Sequence, residues 1–133
     1  MNAELRCFSV VVLLLALMRS DSAAEPPDPA ENEAVAALEK MGGSVNRIHG
    51  RVSRVGLFRT KVTDDGLVHL KGLANLRSLD LRDTKVSDDG LVHLKALTKL
   101  EFLFIPGTTI SDTGLEHLKG LTNLQRLELF DTK

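Results

Sequence analysis

TKVTDDGLVHLKGL at residues 60–73 returns as TKVSDDGLVHLKAL at residues 84–97 and as TTISDTGLEHLKGL at residues 108–121. Thr60, Thr84, Thr108 and Thr132 are spaced by 24 residues without slippage. Val62, Val86 and Ile110 keep the same step, as do Gly66, Gly90 and Gly114. So do the leucines at 67, 91 and 115, at 70, 94 and 118, and at 73, 97 and 121. Self-similarity at this period marks one supersecondary unit stacked on copies of itself, because a unit so short cannot bury its own apolar face.

Each unit reads L-x-x-L-x-L-x-x-T-x-V, as in Leu76, Leu79, Leu81, Thr84 and Val86. In residues 77–83 Leu79 and Leu81 alternate with polar residues, which predicts the buried face of a short strand. One period later the chain returns to a parallel strand about 4.8 Å away. Between strands, Asp64, Asp65 and Gly66 open a short helix in which Leu67, Leu70 and Leu73 point inward. Thr63 or Asp64 is placed to cap its free N–H groups, and Gly66 to make the turn. The reading is α/β: a leucine-rich repeat solenoid, a short horseshoe arc with a parallel concave sheet and short convex helices.

Outward from the repeats the pattern changes. Arg6 precedes an apolar run at residues 7–18, shorter than the roughly 20 residues a bilayer-spanning helix needs. Ser22, Ala23 and Ala24 then offer a small-residue cleavage site, so residues 1–24 read as a signal peptide. This predicts an exported protein (periplasmic, cell-envelope or secreted) that meets a membrane only through that signal. The single cysteine, Cys7, precedes the apolar run, so the chain left after cleavage carries no thiol for disulfides, thiolate catalysis or metal ligation. Export without disulfides fits a bacterial envelope.

Residues 25–33, EPPDPAENE, read as an acidic, proline-rich, extended leader. From Ala30 the spacing turns helical, and Ala34, Val35, Ala37, Leu38 and Met41 share a face until Gly42 and Gly43 stop it. Residues 34–51 are therefore expected to form a capping helix and a basic connector. Residues 52–133 hold the repeats, three full and a fourth truncated. Ending at LELFDTK leaves Leu127 and Leu129 uncovered, which predicts either a longer array or self-association at that end.

The stretch VTDDGLVHLKGLANLRSLDLRDTKVSDDGL resembles bacterial exported leucine-rich repeat proteins, which carry a T-x-V-[TS]-D-x-G-L unit. It is also similar to the repeats of F-box leucine-rich proteins, which usually place a Cys where this chain has Thr60, Thr84, Thr108 and Thr132. The resemblance covers residues 52–133 and implies the fold. It leaves function open, since such families bind very different partners.

Several recurring residues have chemistry of their own. His69, His93 and His117 form a row with metal-binding capacity, but a residue that recurs with the unit reads first as scaffold. Asp64, Asp88 and Asp112 sit at helix starts and are expected to cap them. Thr60, Thr84, Thr108 and Thr132 are expected to satisfy backbone groups at the strand exits.

The concave face differs because its residues do not recur. Its outward positions are Arg54, Gly56, Phe58 and Arg59, then Ser78, Asp80, Arg82 and Asp83. They continue as Phe102, Phe104, Pro106 and Gly107, then Arg126, Glu128, Phe130 and Asp131. Of the five phenylalanines, all but Phe8 fall in this set. Aromatics and arginines dominate interface hot spots. Arg54, Phe58, Arg82, Phe102, Phe104, Arg126 and Phe130 are therefore the candidate binding residues, with Phe102 and Phe104 as anchors and Arg82 and Arg126 as charged contacts.

With 17 Lys and Arg against 18 Asp and Glu, nothing points to nucleic acid. No nucleophile–base pair, phosphate loop or dissimilar carboxylate pair stands outside the repeat pattern. The expectation is a non-catalytic module for a protein partner, with no cofactor and no metal. The competing expectations are a substrate-recognition subunit of a ubiquitin ligase and a metal-binding enzyme using the His row.

Overall fold

The computed structural model describes residues 28–131. The signal-peptide reading, the first residues of the leader and Thr132 lie outside the described residues. The chain forms helix α1 (Pro29–Lys40), strand β1 (Ser44–Ile48) and strand β2 (Arg51–Gly56), followed by a 3₁₀ segment at Asp64–Gly72. Strand β3 (Ser78–Asp80) leads to helix α2 (Asp88–Leu91) and a 3₁₀ turn at Val92–Ala96. Strand β4 (Phe102–Phe104) leads to helix α3 (Asp112–Leu115), a 3₁₀ turn at Glu116–Leu118 and strand β5 (Arg126–Glu128). The strands make one five-stranded sheet in chain order.

Strands β2 to β5 are parallel and pair at the repeat step, so Val55, Leu79, Leu103 and Leu127 form one column. Leu57, Leu79, Leu81, Leu103 and Ile105 from the strands meet Leu67, Leu70, Leu91 and Leu94 from the other wall, and all are fully buried. Leu127 continues the column but is 36% exposed, since no described strand covers it. The convex segments are largely 3₁₀ rather than α. Their leucines explain this: a helix of three residues per turn puts positions three apart on one face, as Leu67, Leu70 and Leu73 require.

The Thr row behaves as expected. The hydroxyls of Thr60 and Thr84 donate to the carbonyls of Leu57 and Leu81 at 2.7 Å, and that of Thr108 to Ile105 at 2.5 Å.

The recurring Asp and Gly need correction. Asp64 does not cap its own segment. Its carboxylate accepts from the Ser87 backbone N–H at 2.7 Å and the Ser87 hydroxyl at 2.6 Å, one repeat further on. Asp88 does the same to Ser111, at 2.7 and 2.5 Å. Glycine is the third part of this staple. A Cβ on Gly90 would strike the Asp64 carboxylate, and one on Gly114 that of Asp88. Neither glycine has a positive φ, so each is there for space and not for a turn.

The hydroxyl and N–H of Ser111 hold the Asp88 carboxyl below the usual carboxylate range, with the charge of His117 adding to this. A carboxyl whose folded pKa lies below its unfolded one stabilises the fold above the unfolded value and loses that contribution as pH falls. Asp88→Asn should therefore lower stability at neutral pH and flatten its decline below about pH 4, read by thermal melts across pH. An unchanged acid limb would remove Asp88 from the account.

The N-terminal segment differs in two respects. Helix α1 begins at Pro29, inside the stretch expected to be extended, and Asp28 caps it by accepting from the Ala30 N–H at 2.9 Å. Its buried face includes Glu31, 3% exposed, whose carboxylate accepts from the Val52 N–H and lies 3.5 Å from both Arg47 and Arg51. Apolar periodicity misses this turn because a carboxylate occupies an inward position.

The basic connector is in fact a β-hairpin: β1 runs antiparallel to β2, with Ile48 opposite Arg51. His49 and Gly50 at its tip both have positive φ, as a type I′ turn requires. Helix α1 packs on the first convex segment, closing that end as a cap. Among the described residues no helix is long and apolar enough to cross a membrane.

Candidate functional site

The concave face is the side of the sheet away from the leucines. Asn46, Arg54, Ser78, Phe102 and Arg126 stand in one register column. Ser44, Gly56, Asp80, Phe104 and Glu128 stand in the next. Beyond the strands, Phe58, Arg82, Pro106 and Phe130 follow at the same step along the lip. The chain turns over this lip at Arg59, Asp83, Gly107 and Asp131, all with positive φ between 53° and 71°. Three of the four are not glycine, so this turn holds a conformation that non-glycine residues adopt at a cost.

Phe102 and Phe104 are half-buried on this face. Phe58 and Phe130 are 44% and 63% exposed. Over the Phe58 ring lie the guanidinium groups of Arg59 at 4.8 Å and Arg82 at 5.0 Å, and Arg82 is also 5.8 Å from the Phe104 ring. Such stacking holds the rings in place while leaving them accessible.

The candidate arginines divide into two kinds. Arg82 grips Asp80 two residues before it, Nε to Oδ1 at 2.9 Å and Nη2 to Oδ2 at 2.6 Å. That hydrogen-bonded pair raises the guanidinium pKa still further. Arg126 grips Glu128 through Nε and Nη2, both on Oε1, at 2.8 and 2.5 Å. Arg77 reaches Glu101 at 2.8 Å and Arg59 reaches Asp83 at 3.4 Å. Arg54 is exposed and has no ion pair among the described residues.

Between Arg54 and the two phenylalanines lies a depression of about 400 Å³, lined by Ser44, Arg54, Gly56, Ser78, Asp80, Phe102 and Phe104 among others. It exists because Gly56 and Ser78 are small where neighbouring strands carry Phe104 and Phe102. The candidate set contained its walls, Arg54, Phe102 and Phe104. It missed the floor, whose signal was two small residues at concave positions. Ser44 was missed because it stands on β1, in the hairpin read as a connector.

On the other surface, His69 is exposed while His93 and His117 are half-buried, and the Nδ1 of His93 is buried without a hydrogen-bond partner. Among the described residues no three or more metal-ligating side chains converge.

A stack of 24-residue units, each adding one parallel strand and one convex turn to a continuous leucine core, is a leucine-rich repeat solenoid. Residues 72–95, one repeat length, match a family model described as Leucine Rich repeat. Among solved structures the chain is similar to an internalin C2 from Listeria monocytogenes str. 4b F2365, with 24% identity and a TM-score of 0.41. The alignment covers 80% of this chain and 66% of that one, so the chain spans about two thirds of its length. No curated protein matches the chain.

Proposed function

We propose that the protein is a non-catalytic recognition module that binds a protein partner through its concave face. One observation carries this reading. Phe102 and Phe104 lie half-buried on the sheet face opposite the leucine core, at positions where every other repeat has something different. A scaffold role would recur with the unit, as the Thr row and the Asp–Gly–Ser staple do. Aromatic rings held rigid on a strand lose little entropy on binding, which suits them as anchors.

Replacing both rings, as Phe102→Ser with Phe104→Ser, should weaken capture of the protein recovered by the unmodified chain by about 30-fold or more. The melting temperature should stay nearly unchanged. A large fall in stability would instead make the rings part of the core and end the reading.

Export belongs to the same proposal, supported by the charge, apolar run and small residues of residues 6–24. Self-association is a further part of it, supported by Leu127 and Phe130, exposed beside β5, an edge strand among the described residues.

A further inference from the structure

The concave charges form a pattern once their pairs are removed. Asp80 is neutralised by Arg82, Glu128 by Arg126 and Glu101 by Arg77. Arg54 alone of the concave guanidinium groups keeps its charge uncompensated among the described residues, and it stands on the rim of the depression. Beside it Ser78 is 9% exposed, lines the same depression, and has a hydroxyl with no hydrogen-bond partner among the described residues. Ser78 is also the direct register neighbour of both Arg54 and Phe102. The depression thus has a cationic donor and a neutral donor at one side, an apolar wall of Phe102 and Phe104 at the other, and in its lining the carboxylate of Asp80, held by Arg82.

From this arrangement we infer that the depression binds an acidic side chain of the partner, with an adjacent apolar side chain seated against Phe102 and Phe104. The inference rests on the protein-binding reading and names the chemistry of its partner. A guanidinium fork matches a carboxylate in geometry and charge, and the Ser78 hydroxyl donates to one of its oxygens. A single unpaired cation fits a single negative charge. A polyanion would find no second unpaired cation on this face, because Arg82, Arg126 and Arg77 are already engaged by Asp80, Glu128 and Glu101. Burial against the rings lowers the local dielectric and strengthens the ion pair beside them.

The test uses the full chain and a library of peptides blocked by N-acetylation and C-amidation. Each peptide carries one Glu or Asp beside Phe or Leu, and a matched set carries Gln or Asn instead. Acidic peptides should bind better than their amide partners by about tenfold or more, and Arg54→Ala should erase that preference. Arg54→Lys should keep part of it, and added salt should reduce it. Melting curves keep the variants comparable, since the Arg54 side chain is exposed and forms no ion pair among the described residues.

Peptide binding that depends on Phe102 and Phe104, but ignores both the acid and Arg54, would overturn the inference and leave the protein-binding reading standing. A preference for peptides with a free C-terminal carboxylate over an internal acid would also overturn it. Failure of every peptide to bind, or binding untouched by the double Phe variant, would count against both.

Discussion

Gly90→Val should unfold the solenoid at a temperature lower by about 12–24 °C, corresponding to a loss of about 3 kcal/mol in a domain near 100 residues. The cause is the space the glycine leaves. A Cβ at this position would collide with the Asp64 carboxylate of the preceding repeat and come within 3.0 Å of the Val86 side chain. Overpacking of this kind costs about 1–3 kcal/mol by itself. Moving the carboxylate aside then breaks its bonds to the Ser87 N–H and hydroxyl, charge-assisted contacts worth more than neutral ones.

Gly120→Ala is the control, because a Cβ there meets nothing within 4 Å. It should shift stability by no more than about 0.5 kcal/mol. A double-mutant cycle identifies the mechanism: with Asp64→Ala already present, Gly90→Val should cost visibly less than it does alone. Equal costs in both backgrounds would show that the carboxylate is not what the glycine accommodates.

Removal of the buried carboxylate in α1 is expected to be the second large effect. Glu31→Ala should cost about 2–3 kcal/mol, seen as a lower denaturant midpoint. The Val52 N–H is buried, and Glu31 is its acceptor, so truncation strands it away from water. Arg47 and Arg51 lose a partner as well, but both are partly solvated, which limits that share. Glu31→Gln should cost less than Glu31→Ala, because an amide oxygen still accepts from Val52 while the charge is lost. If the two variants were equally damaging, the ion pairs would matter more than the backbone bond. If neither mattered, α1 would not be fastened to the sheet through this residue.

How much the sequence discloses differs along the chain. The leucine columns, the Thr row and the parallel register were readable, because each depends on residue type at a fixed step, and the step repeats. The Asp–Gly–Ser staple was visible as recurrence but not as contact. Asp64 beside Gly66 suggests a helix cap, and only stacking brings that carboxylate against Ser87 and Gly90, 23 and 26 residues on. Glu31 was hidden for a related reason: a charged residue at an inward position looks like an outward one until its partners arrive from β1 and β2. The hairpin at His49 and Gly50 was missed because Arg47 and Arg51 interrupt its apolar alternation, and their acidic partner Glu31 comes from α1.

The candidate site divides along the same line. That concave residues fall outside the repeat was evident from the chain alone, and it singled out Phe102, Phe104 and the arginines. Which arginine keeps its charge was not. Arg82 and Arg126 lie two residues from Asp80 and Glu128 and pair with them, whereas Arg54 stands beside Ser78 and forms no ion pair among the described residues. The period, the repeat strands, the leucine core and the direction of the recurring side chains are written in the order of residues, because a repeated unit imposes one local geometry on every copy. Which side chains meet between copies is settled in three dimensions, since those contacts form across a register that exists only once the units are stacked.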